Sequence, residues 1–383
     1  MRKICIVTGS RAEYGLMSRL MKLIQEDSDL QLQVVATNMH LSPEFGLTYR
    51  EIESDGFVID KKVHMLLSSD SANATVKSVG IGTIGFADAY EELKPDMILV
   101  LGDRYEILAA VSAAVLYKIP VAHIHGGEIT EGAYDDTIRH AITKMSHLHF
   151  TSTEEYRQRV IQMGENPSTV YYVGALGCDN IKSIPLMGKE ELEQSLNFSP
   201  DRNTILVTFH PVTMENNTAE EQFGELLVAL DSFKELRVIF TMPNSDTNGR
   251  VIMEMIERYV ENNPSRAIWF TSLGVRRYLS ILQYVGGVVG NSSSGIIEVP
   301  SFHIPTINIG DRQKGRIMAS SILNSLPVSS DIEEKLAIIT APDYIEGLRS
   351  IQNPYDKADT AIEVLRILKN QKTEPVKKFY NLN

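Results

Sequence analysis

The sequence predicts an α/β protein with two doubly wound domains, each built on a parallel sheet. Short, continuously apolar segments alternate with stretches of helical spacing, as in strands that helices cover on both faces. This alternation stops and begins again near residue 200. The chain has 383 residues, which exceeds the roughly 250–300 residues at which a single hydrophobic core stops growing.

The first half of the chain contains five predicted strands. They are "KICIVTG", "LQLQVVATN", "PDMILVLGD", "IPVAHIH" and "HLHFTS". Helical spacing follows the first strand, where Leu16, Leu20 and Leu23 share one face. It returns in "RYEILAAVSAAVLYK", near 136–146 and in "EEYRQRVIQMG". Strands that alternate with helices in this way predict a parallel sheet.

The second half repeats the pattern. Strands are predicted at 204–211, 237–244, 267–271, 286–291 and 304–310, with helices near 218–233, 248–262 and 274–284. A last amphipathic helix is expected at 356–370. The predicted domains are therefore 1–175, which carries the acid/base groups, and 176–355, which carries the anion site. Residues 356–383 form a helix and tail that we expect to pack back on the first domain.

Composition excludes several classes of protein. The formal net charge of −12 opposes general binding of nucleic acid, because phosphate is repelled by an acidic surface. No run of 18 apolar residues occurs, so no membrane span is expected. The cysteines, Cys5 and Cys178, have no partners at metal-ligand spacing. We expect a reduced, cytoplasmic protein without a metal.

Polar side chains cluster where strands of the first domain end. "TGSRAEYG" combines backbone amides with Arg11 before a helix, a composition that suits an anion or an ordinary helix cap. It matches neither the dinucleotide fingerprint nor the P-loop. Asp103, in "LGDRYE", directly follows a strand. That aspartate either caps the next helix or presents a carboxylate to a ligand at the sheet edge.

The stretch "HIHGGEITEGAYDDTIRH" (123–140) is the densest in ionisable groups. One capping aspartate would be ordinary, but this turn carries far more than one. Crowded carboxylates raise one another's pKa and can hold protons for acid/base chemistry. Metal binding is the rival interpretation, although the spacing matches no ligand set. The ionisable groups here are His123, His125, Glu128, Glu131, Asp135, Asp136, Arg139 and His140.

Two stretches of the second domain suit a phosphate ligand, and a third places a histidine where a strand ends. His210 follows the first strand in "TFHPVT". In "GNSSSGIIEVPSF", Ser292 or Ser293 can cap a helix while further amides point outward, and Glu298 suits the hydroxyls of a ribose. "NIGDRQKGR" adds Arg312, which is either a phosphate partner or a solvated charge.

Taken together, these stretches resemble the hydrolysing UDP-N-acetylglucosamine 2-epimerases, with the greatest likeness to the bacterial sialic-acid-pathway branch. The resemblance rests on "VTGSRAEYG", "LGDRYE", "HIHGGE", "DDTIRHAITK", "TFHPVT", "GNSSSGIIEVPSF" and "NIGDRQKGR", and covers roughly residues 1–370. It implies two Rossmann-like domains that face a central cleft, the glycosyltransferase-B architecture. It also implies a homodimer, formed through helices of the first domain.

The resemblance implies conversion of UDP-N-acetylglucosamine and water to N-acetylmannosamine and UDP, without metal or other cofactor. Elimination gives 2-acetamidoglucal, which is then hydrated. The implied acid/base residues are Asp103, Glu128, Asp135 and Asp136, with His210 near the diphosphate. The residues implied to hold UDP are Arg11, Ser292, Ser293, Glu298 and Arg312.

One position departs from the family pattern. Many relatives carry glutamate where this chain has His125, so either His125 takes that role or Glu128 does. A close branch acts instead on UDP-2,4-diacetamido-2,4,6-trideoxyglucose, and "NMHLSPEFG" (38–46) and "SVGIGTIGF" (78–86) are candidate loops for sugar selection. A non-hydrolysing epimerase, a glycosyltransferase of the same fold and a nucleotide-sugar sensor are the remaining alternatives.

Overall fold

The computed structural model describes residues 1–69, 71–215, 218–246, 248–372 and 376–382. Its contacts divide the chain into two compact units. Unit 1 comprises residues 1–128, 135–180 and 357–383, and unit 2 comprises residues 129–134 and 181–356. The break after Asn180 lies five residues beyond the boundary predicted at 175.

Unit 1 is built on a seven-stranded parallel sheet of order β3-β2-β1-β4-β5-β6-β7. The strands are β1 (Arg2–Thr8), β2 (Leu30–Thr37), β3 (Lys61–Val63), β4 (Met97–Leu101), β5 (Val121–Ile124), β6 (Leu148–Thr151) and β7 (Val170–Tyr172). Strand order reverses between β1 and β4, which is the switch point of a doubly wound sheet.

Eight helices belong to the described part of unit 1. They are α1 (Arg11–Glu26), α2 (Tyr49–Ser54), α3 (Ala72–Leu93), α4 (Tyr105–Leu116), α5 (Asp135–Met145), α6 (Glu154–Gln162), α7 (Leu176–Ser183), which runs on into unit 2, and α15 (Thr360–Asn370). Single 3₁₀ turns occupy Asn38–Leu41, Pro43–Phe45 and Pro167–Thr169. Helix α15 packs on α1, where Val364 and Leu368 join Leu20 and Ile24 in one apolar cluster.

Unit 2 is built on a six-stranded parallel sheet of order β10-β9-β8-β11-β12-β13. The strands are β8 (Thr204–Thr208), β9 (Arg237–Thr241), β10 (Ala267–Phe270), β11 (Gly287–Gly290), β12 (Thr306–Ile309) and β13 (Ile322–Ser325). The helices are α8 (Lys189–Leu196), α9 (Ala219–Ser232), α10 (Gly249–Asn262), α11 (Gly274–Ile281), α12 (Ser294–Ile297), α13 (Ser329–Ile339) and α14 (Pro342–Gly347). Turns of 3₁₀ helix follow at Val299–Phe302 and Leu348–Ser350.

The predicted fold class is confirmed, but among the described residues three strands and six helices were missed, the helices being α2, α3, α7, α8, α13 and α14. Strands β3, β7 and β13 lie at sheet edges, and each is only three or four residues long and partly solvated. Their sequences therefore lack the continuous apolar run that marks a buried parallel strand.

The interpretation of 78–86 as a sugar-selecting loop is wrong, because these residues form the middle of α3. Small residues obscured the helix. Gly82 lies where an added Cβ would sit 3.2 Å from the Cβ of Ala109 in α4, so glycine allows these two helices to approach closely. Within the described residues, no helix combines the length and apolar character needed to cross a membrane.

Candidate active site

Three adjacent strands of unit 1 end at the same sheet edge. In the parallel register, Leu101 of β4 lies opposite Ile124 of β5, which lies opposite Phe150 of β6. The chain leaves these strands towards Asp103, His125 and Ser152. Ligands of open α/β sheets bind beyond the carboxyl ends of the strands, so these side chains occupy the expected place for a site.

Arg139 of α5 holds the groups at this edge together. Its side chain is 1% exposed, and its Nη2 forms an ion pair with Asp103 Oδ2. Its Nη1 donates to the carbonyl oxygen of Glu128 at 2.8 Å and to Asp136 Oδ1 at 3.3 Å. A planar guanidinium offers several donors in fixed directions. One buried side chain therefore fixes three of the predicted acid/base residues.

Asp103 is not a helix cap. Helix α4 begins at Tyr105, and its N-cap is Arg104, whose side chain makes no capping hydrogen bond. Arg104 pairs with the buried carboxylate of Glu106 instead, at 2.7 Å. The carboxylate of Asp103 is 21% exposed and directed to Arg139, so its function is not explained by helix termination.

Glu128 and His125 lie together, although the sequence left them as alternatives. Glu128 Oε1 is 3.0 Å from Nδ1 of His125 and accepts a hydrogen bond from the Ser152 hydroxyl at 2.6 Å. His125 has a left-handed backbone, with φ of 67°. Among the described residues, its buried Nε2 has no hydrogen-bond partner. The pair forms a hydrogen-bonded carboxylate–imidazole unit that can hold or pass a proton.

His123 fixes the turn that precedes Asp103. Its ring lies 2.7 Å, through Nε2, from the carbonyl oxygen of Gly102, and its Nδ1 is 3.2 Å from the hydroxyl of Thr143. Burial lowers the pKa of His123 to about 3. The ring is therefore neutral, and its Nε2–H donates to Gly102, whose φ of 80° makes the turn after β4.

The two aspartates of "DDTIRH" occupy the first turn of α5 but differ in environment. Asp135 is 7% exposed. The side chain of Asp136 is 25% exposed and lies between Arg139 and His140, whose Nε2 is 3.4 Å from Asp136 Oδ2. Carboxylates are favoured in the first turn of a helix by its dipole.

The anion site predicted after β1 is already filled by a side chain of the chain itself. Ser10 and Glu13 form a capping box, in which the Glu13 carboxylate accepts from the amides of Gly9 and Ser10 at 2.7 and 3.2 Å. Burial and the neighbouring Glu106 raise the pKa of Glu13 to about 8. Arg11 pairs with Glu51 at 3.1 Å. The amides of Gly9 and Ser10 are therefore not available to a ligand, contrary to the expectation of an anion site here.

In unit 2, Asn291 clamps the backbone of His210. Its side-chain Oδ1 accepts from the His210 amide at 2.7 Å, and its Nδ2 donates to the His210 carbonyl at 2.8 Å. The ring Nδ1 of His210 accepts from the amide of Asn244 at 3.3 Å. A neutral ring in this arrangement carries its proton on Nε2, which is then a hydrogen-bond donor.

The serine loop differs from its predicted form. Helix α12 is a single turn, its N-cap Ser293 makes no side-chain capping bond, and Glu298 is its C-cap. Ser292 Oγ accepts from the Ser294 amide at 3.4 Å instead. Within the part of the chain that the structure describes, the amides of Ser292 and Ser293 donate no hydrogen bond.

Ser294 belongs to a chain of hydroxyl groups. Its Oγ hydrogen-bonds to the hydroxyl of Tyr278 and lies 3.5 Å from Oγ of Ser292. Burial, with the nearby charge of Glu298, raises the pKa of the Tyr278 phenol, so the phenol stays neutral. Ser294 therefore links Ser292 to α11.

Arg312 and Gln313 reach the same loop from the end of β12. Gln313 Nε2 donates to the carbonyl oxygen of Asn291 at 2.9 Å, and Arg312 Nη1 lies 3.5 Å from it. Arg312 also pairs with the buried Asp246 at 3.5 Å. The ends of β8, β11 and β12 are thereby joined around Asn291.

The sequence did not single out three residues that hold these groups in place. Arg139 and Asn291 were visible inside the motifs, and the Asp136-to-Arg139 spacing of three residues is the signal for a helical ion pair. Ser152 had no such signal, because its contact with Glu128 joins residues 24 positions apart.

The chain matches the family model described as UDP-N-acetylglucosamine 2-epimerase over residues 22–369. A Campylobacter jejuni protein, GDP/UDP-N,N'-diacetylbacillosamine 2-epimerase (hydrolyzing), is 46% identical over 85% of this chain and 84% of its own. Polysialic acid biosynthesis protein P7 of Escherichia coli is 40% identical over 100% of this chain and 98% of its own.

The fold is also that of a solved structure from S. aureus, the MnaA–UDP co-structure. The two agree with a TM-score of 0.80 and 16% identity, over 96% of each chain. At this identity the likeness concerns the fold alone.

We predict that Arg139→Met lowers the free energy of unfolding of unit 1 by about 3 kcal/mol, because two carboxylates lose their buried partner. The free energy of unfolding of Arg139→Lys should lie between those of the wild type and Arg139→Met, since lysine keeps the charge but not the paired donors. Urea unfolding followed by circular dichroism measures this loss. Tryptophan fluorescence would not report on unit 1, because the only tryptophan, Trp269, lies in unit 2.

Arg366→Met is the matched control. Arg366 pairs with Glu363 on an exposed face of α15, and surface pairs contribute little. We expect its unfolding curve to superimpose on that of the wild type. An unchanged curve for Arg139→Met as well would contradict the structural role assigned to Arg139.

Proposed function

This chain belongs to the UDP-N-acetylglucosamine 2-epimerase family, and we propose that it is a hydrolysing 2-epimerase of a UDP-linked 2-acetamido sugar. The observation that carries the proposal is the cluster around Arg139, which holds Asp103, Asp136 and the backbone of Glu128 at one sheet edge. Moving a proton at a sugar carbon needs such a set of fixed acid/base groups.

The proposed reaction has two stages. A base takes the proton from C2 of the sugar as the bond from C1 to the diphosphate oxygen breaks, which gives UDP and a 2-acetamidoglucal. Water then adds its oxygen to C1, and an acid returns a proton to C2 from the opposite face. The configuration at C2 is inverted, and the products are the free 2-epimeric sugar and UDP.

We assign proton transfer to Asp103, Glu128 and the aspartate pair Asp135 and Asp136. His125 supports Glu128, whose carboxylate it contacts at 3.0 Å. Arg139 positions these groups and offsets part of their negative charge. The departure from the family pattern at position 125 is accommodated here because the glutamate three residues later shares the same hydrogen-bonded unit.

We assign the UDP leaving group to unit 2. The amides of Ser292 and Ser293, together with Arg312, suit a diphosphate, because charge-assisted hydrogen bonds stabilise the negative charge that develops on the leaving oxygen. The Nε2–H of His210 can donate to the same oxygen. Glu298 is assigned to the ribose hydroxyls. Arg11, which was also predicted to hold UDP, remains a proposal for this role.

The choice of sugar rests on the relatives. The C. jejuni relative is named for a diacetylbacillosamine, and the E. coli relative for polysialic acid biosynthesis. We therefore propose UDP-N,N'-diacetylbacillosamine, the 2,4-diacetamido-2,4,6-trideoxy sugar, as the first substrate to test. UDP-N-acetylglucosamine, giving N-acetylmannosamine for sialic acid, is the second candidate.

Incubation with each UDP-sugar in deuterated water tests the reaction. We expect phosphorus NMR to show UDP released, and proton NMR to show deuterium at C2 of the inverted free sugar. Glu128→Gln, purified in parallel, should give neither signal and so controls for contaminating enzymes. The UDP-sugar that reacts faster is identified as the substrate.

Other outcomes select the alternatives. An inverted sugar that stays attached to UDP would indicate a non-hydrolysing epimerase. No consumption of either sugar would contradict the proposal and favour a glycosyltransferase, which needs an acceptor, or a sensor.

We propose further that the protein is a homodimer formed through α3 and α4. Helix α3 exposes Val76 and Ile84, each at least 70% accessible, and α4 ends at Leu116, which is 80% exposed. Apolar side chains concentrated on paired helices mark a surface that another chain covers. A second copy is the simplest occupant.

Ile84→Asp should therefore shift the molar mass measured by light scattering from that of a dimer to about half that value. Ile362→Asp, at an exposed apolar position of α15, should leave the mass unchanged. A wild-type protein with the mass of one chain would contradict the dimer.

A further inference from the structure

The chain crosses from unit 1 to unit 2 and back within the stretch 123–140, which carries its candidate acid/base groups. It leaves unit 1 after Glu128, contributes residues 129–134 to unit 2, and returns at Asp135. We call these six residues the linker segment. Glu128 and Asp135, both assigned to proton transfer, therefore flank a segment whose contacts lie in unit 2.

Backbone hydrogen bonds dock the linker segment on two loops of unit 2. The amide of Glu131 donates to the carbonyl of Lys314 at 3.0 Å. The carbonyl of Gly132 accepts from the amide of Met214 at 3.2 Å. The amide of Tyr134 donates to the hydroxyl of Thr213 at 3.1 Å.

Two glycines make this docking sterically feasible. A Cβ on Gly132 would lie 2.4 Å from the carbonyl oxygen of Asp311 and 2.9 Å from Cα of Arg312. Gly315 has a φ of 90°, and its Cβ would lie 2.3 Å from Cγ2 of Ile129. Backbone atoms cannot yield as a flexible side chain would, so any side chain at position 132 must push the segment away.

The two loops beneath the linker segment are those assigned to the diphosphate. One loop follows His210, and the other carries Arg312. Asn291 ties both to the end of β11, through the His210 backbone and through Gln313. A ligand that orders either loop therefore acts on the surface that the linker segment contacts.

The linker segment is too short to absorb a displacement. Six residues span at most about 20 Å when fully extended, and the backbone groups of three of these six make the hydrogen bonds just described. On the other side, Glu128 is held by His125, Ser152 and Arg139. A shift of the docked residues must therefore be passed to Glu128 or to the start of α5.

We propose that the linker segment positions Glu128 and Asp135 in response to a nucleoside diphosphate bound at the His210 and Arg312 loops. Gly132 is the positioning residue, because its contact with the backbone at 311–312 transmits the change. The proposal rests on the proposed function for the identity of the ligand. Such a response means that a coupling free energy links nucleotide binding to the ordering of the acid/base residues.

Hydrogen–deuterium exchange with UDP as the probe tests the coupling. In the wild type, saturating UDP should slow exchange in peptides from 290–298 and 308–316, and also in peptides from 123–145. In Gly132→Ala, the first two regions should still be protected by UDP, whereas protection of 123–145 should be lost. Gly224→Ala is the control, because only Met255 lies near that position, at 3.8 Å.

Kinetics provide the second measurement. Gly132→Ala should lower kcat by about 100-fold, the loss expected when reacting groups are misplaced by about 1 Å, while the Kd for UDP changes by less than about threefold. If Gly132→Ala does not fold or bind UDP, Thr213→Val replaces it, since that change removes only the hydrogen bond to Tyr134.

The outcomes separate this inference from the proposed function. If UDP protects no region of the wild type, the proposed UDP site fails, and the coupling fails with it. If UDP protects 290–298 and 308–316 but not 123–145, only the coupling is overturned. Equal protection of 123–145 in wild type and variant also overturns it.

Discussion

The arrangement of unit 1 depends on one buried guanidinium. Arg139 is almost fully enclosed, yet its partners come from the end of β4, the loop after β5 and its own helix. Burying an arginine is costly unless each donor finds an acceptor, so this side chain is tolerated only where these oxygens converge. The same requirement brings Asp103, Asp136 and the backbone of Glu128 to fixed positions, which proton transfer at a sugar carbon would need.

In unit 2, the uncharged side chain of Asn291 holds neighbouring strand ends together, as Arg139 does in unit 1. Asn291 pairs with both backbone groups of His210, and its own carbonyl receives Gln313 and faces Arg312. A neutral amide adds no charge to the place where we propose that a diphosphate binds, and Asp246 is the carboxylate paired with Arg312 there. Preorganised donors of this kind stabilise developing charge without rearrangement during the reaction.

Much of this could be read from the sequence, because apolar strands and the polar residues that end them are local patterns. The central strands and the acidic turn before α5 were found in this way. The Ser10-x-x-Glu13 spacing that places Glu13 on the amides after β1 is also a local pattern, the capping box, but it was overlooked. Local pattern could not reveal that small residues conceal α3, or that residues 129–134 belong with unit 2. These two features depend on the shape of a glycine surface and on contacts with residues that are distant in the chain.

We propose that Asp103, held by Arg139, takes part in proton transfer at C2. The most direct test is exchange of the C2 proton with deuterated water by Asp103→Asn, measured by NMR with the preferred UDP-sugar. We predict that exchange and UDP release both fall by at least about 100-fold, while calorimetry shows UDP bound with unchanged affinity. Wild-type exchange by Asp103→Asn would contradict this role of Asp103.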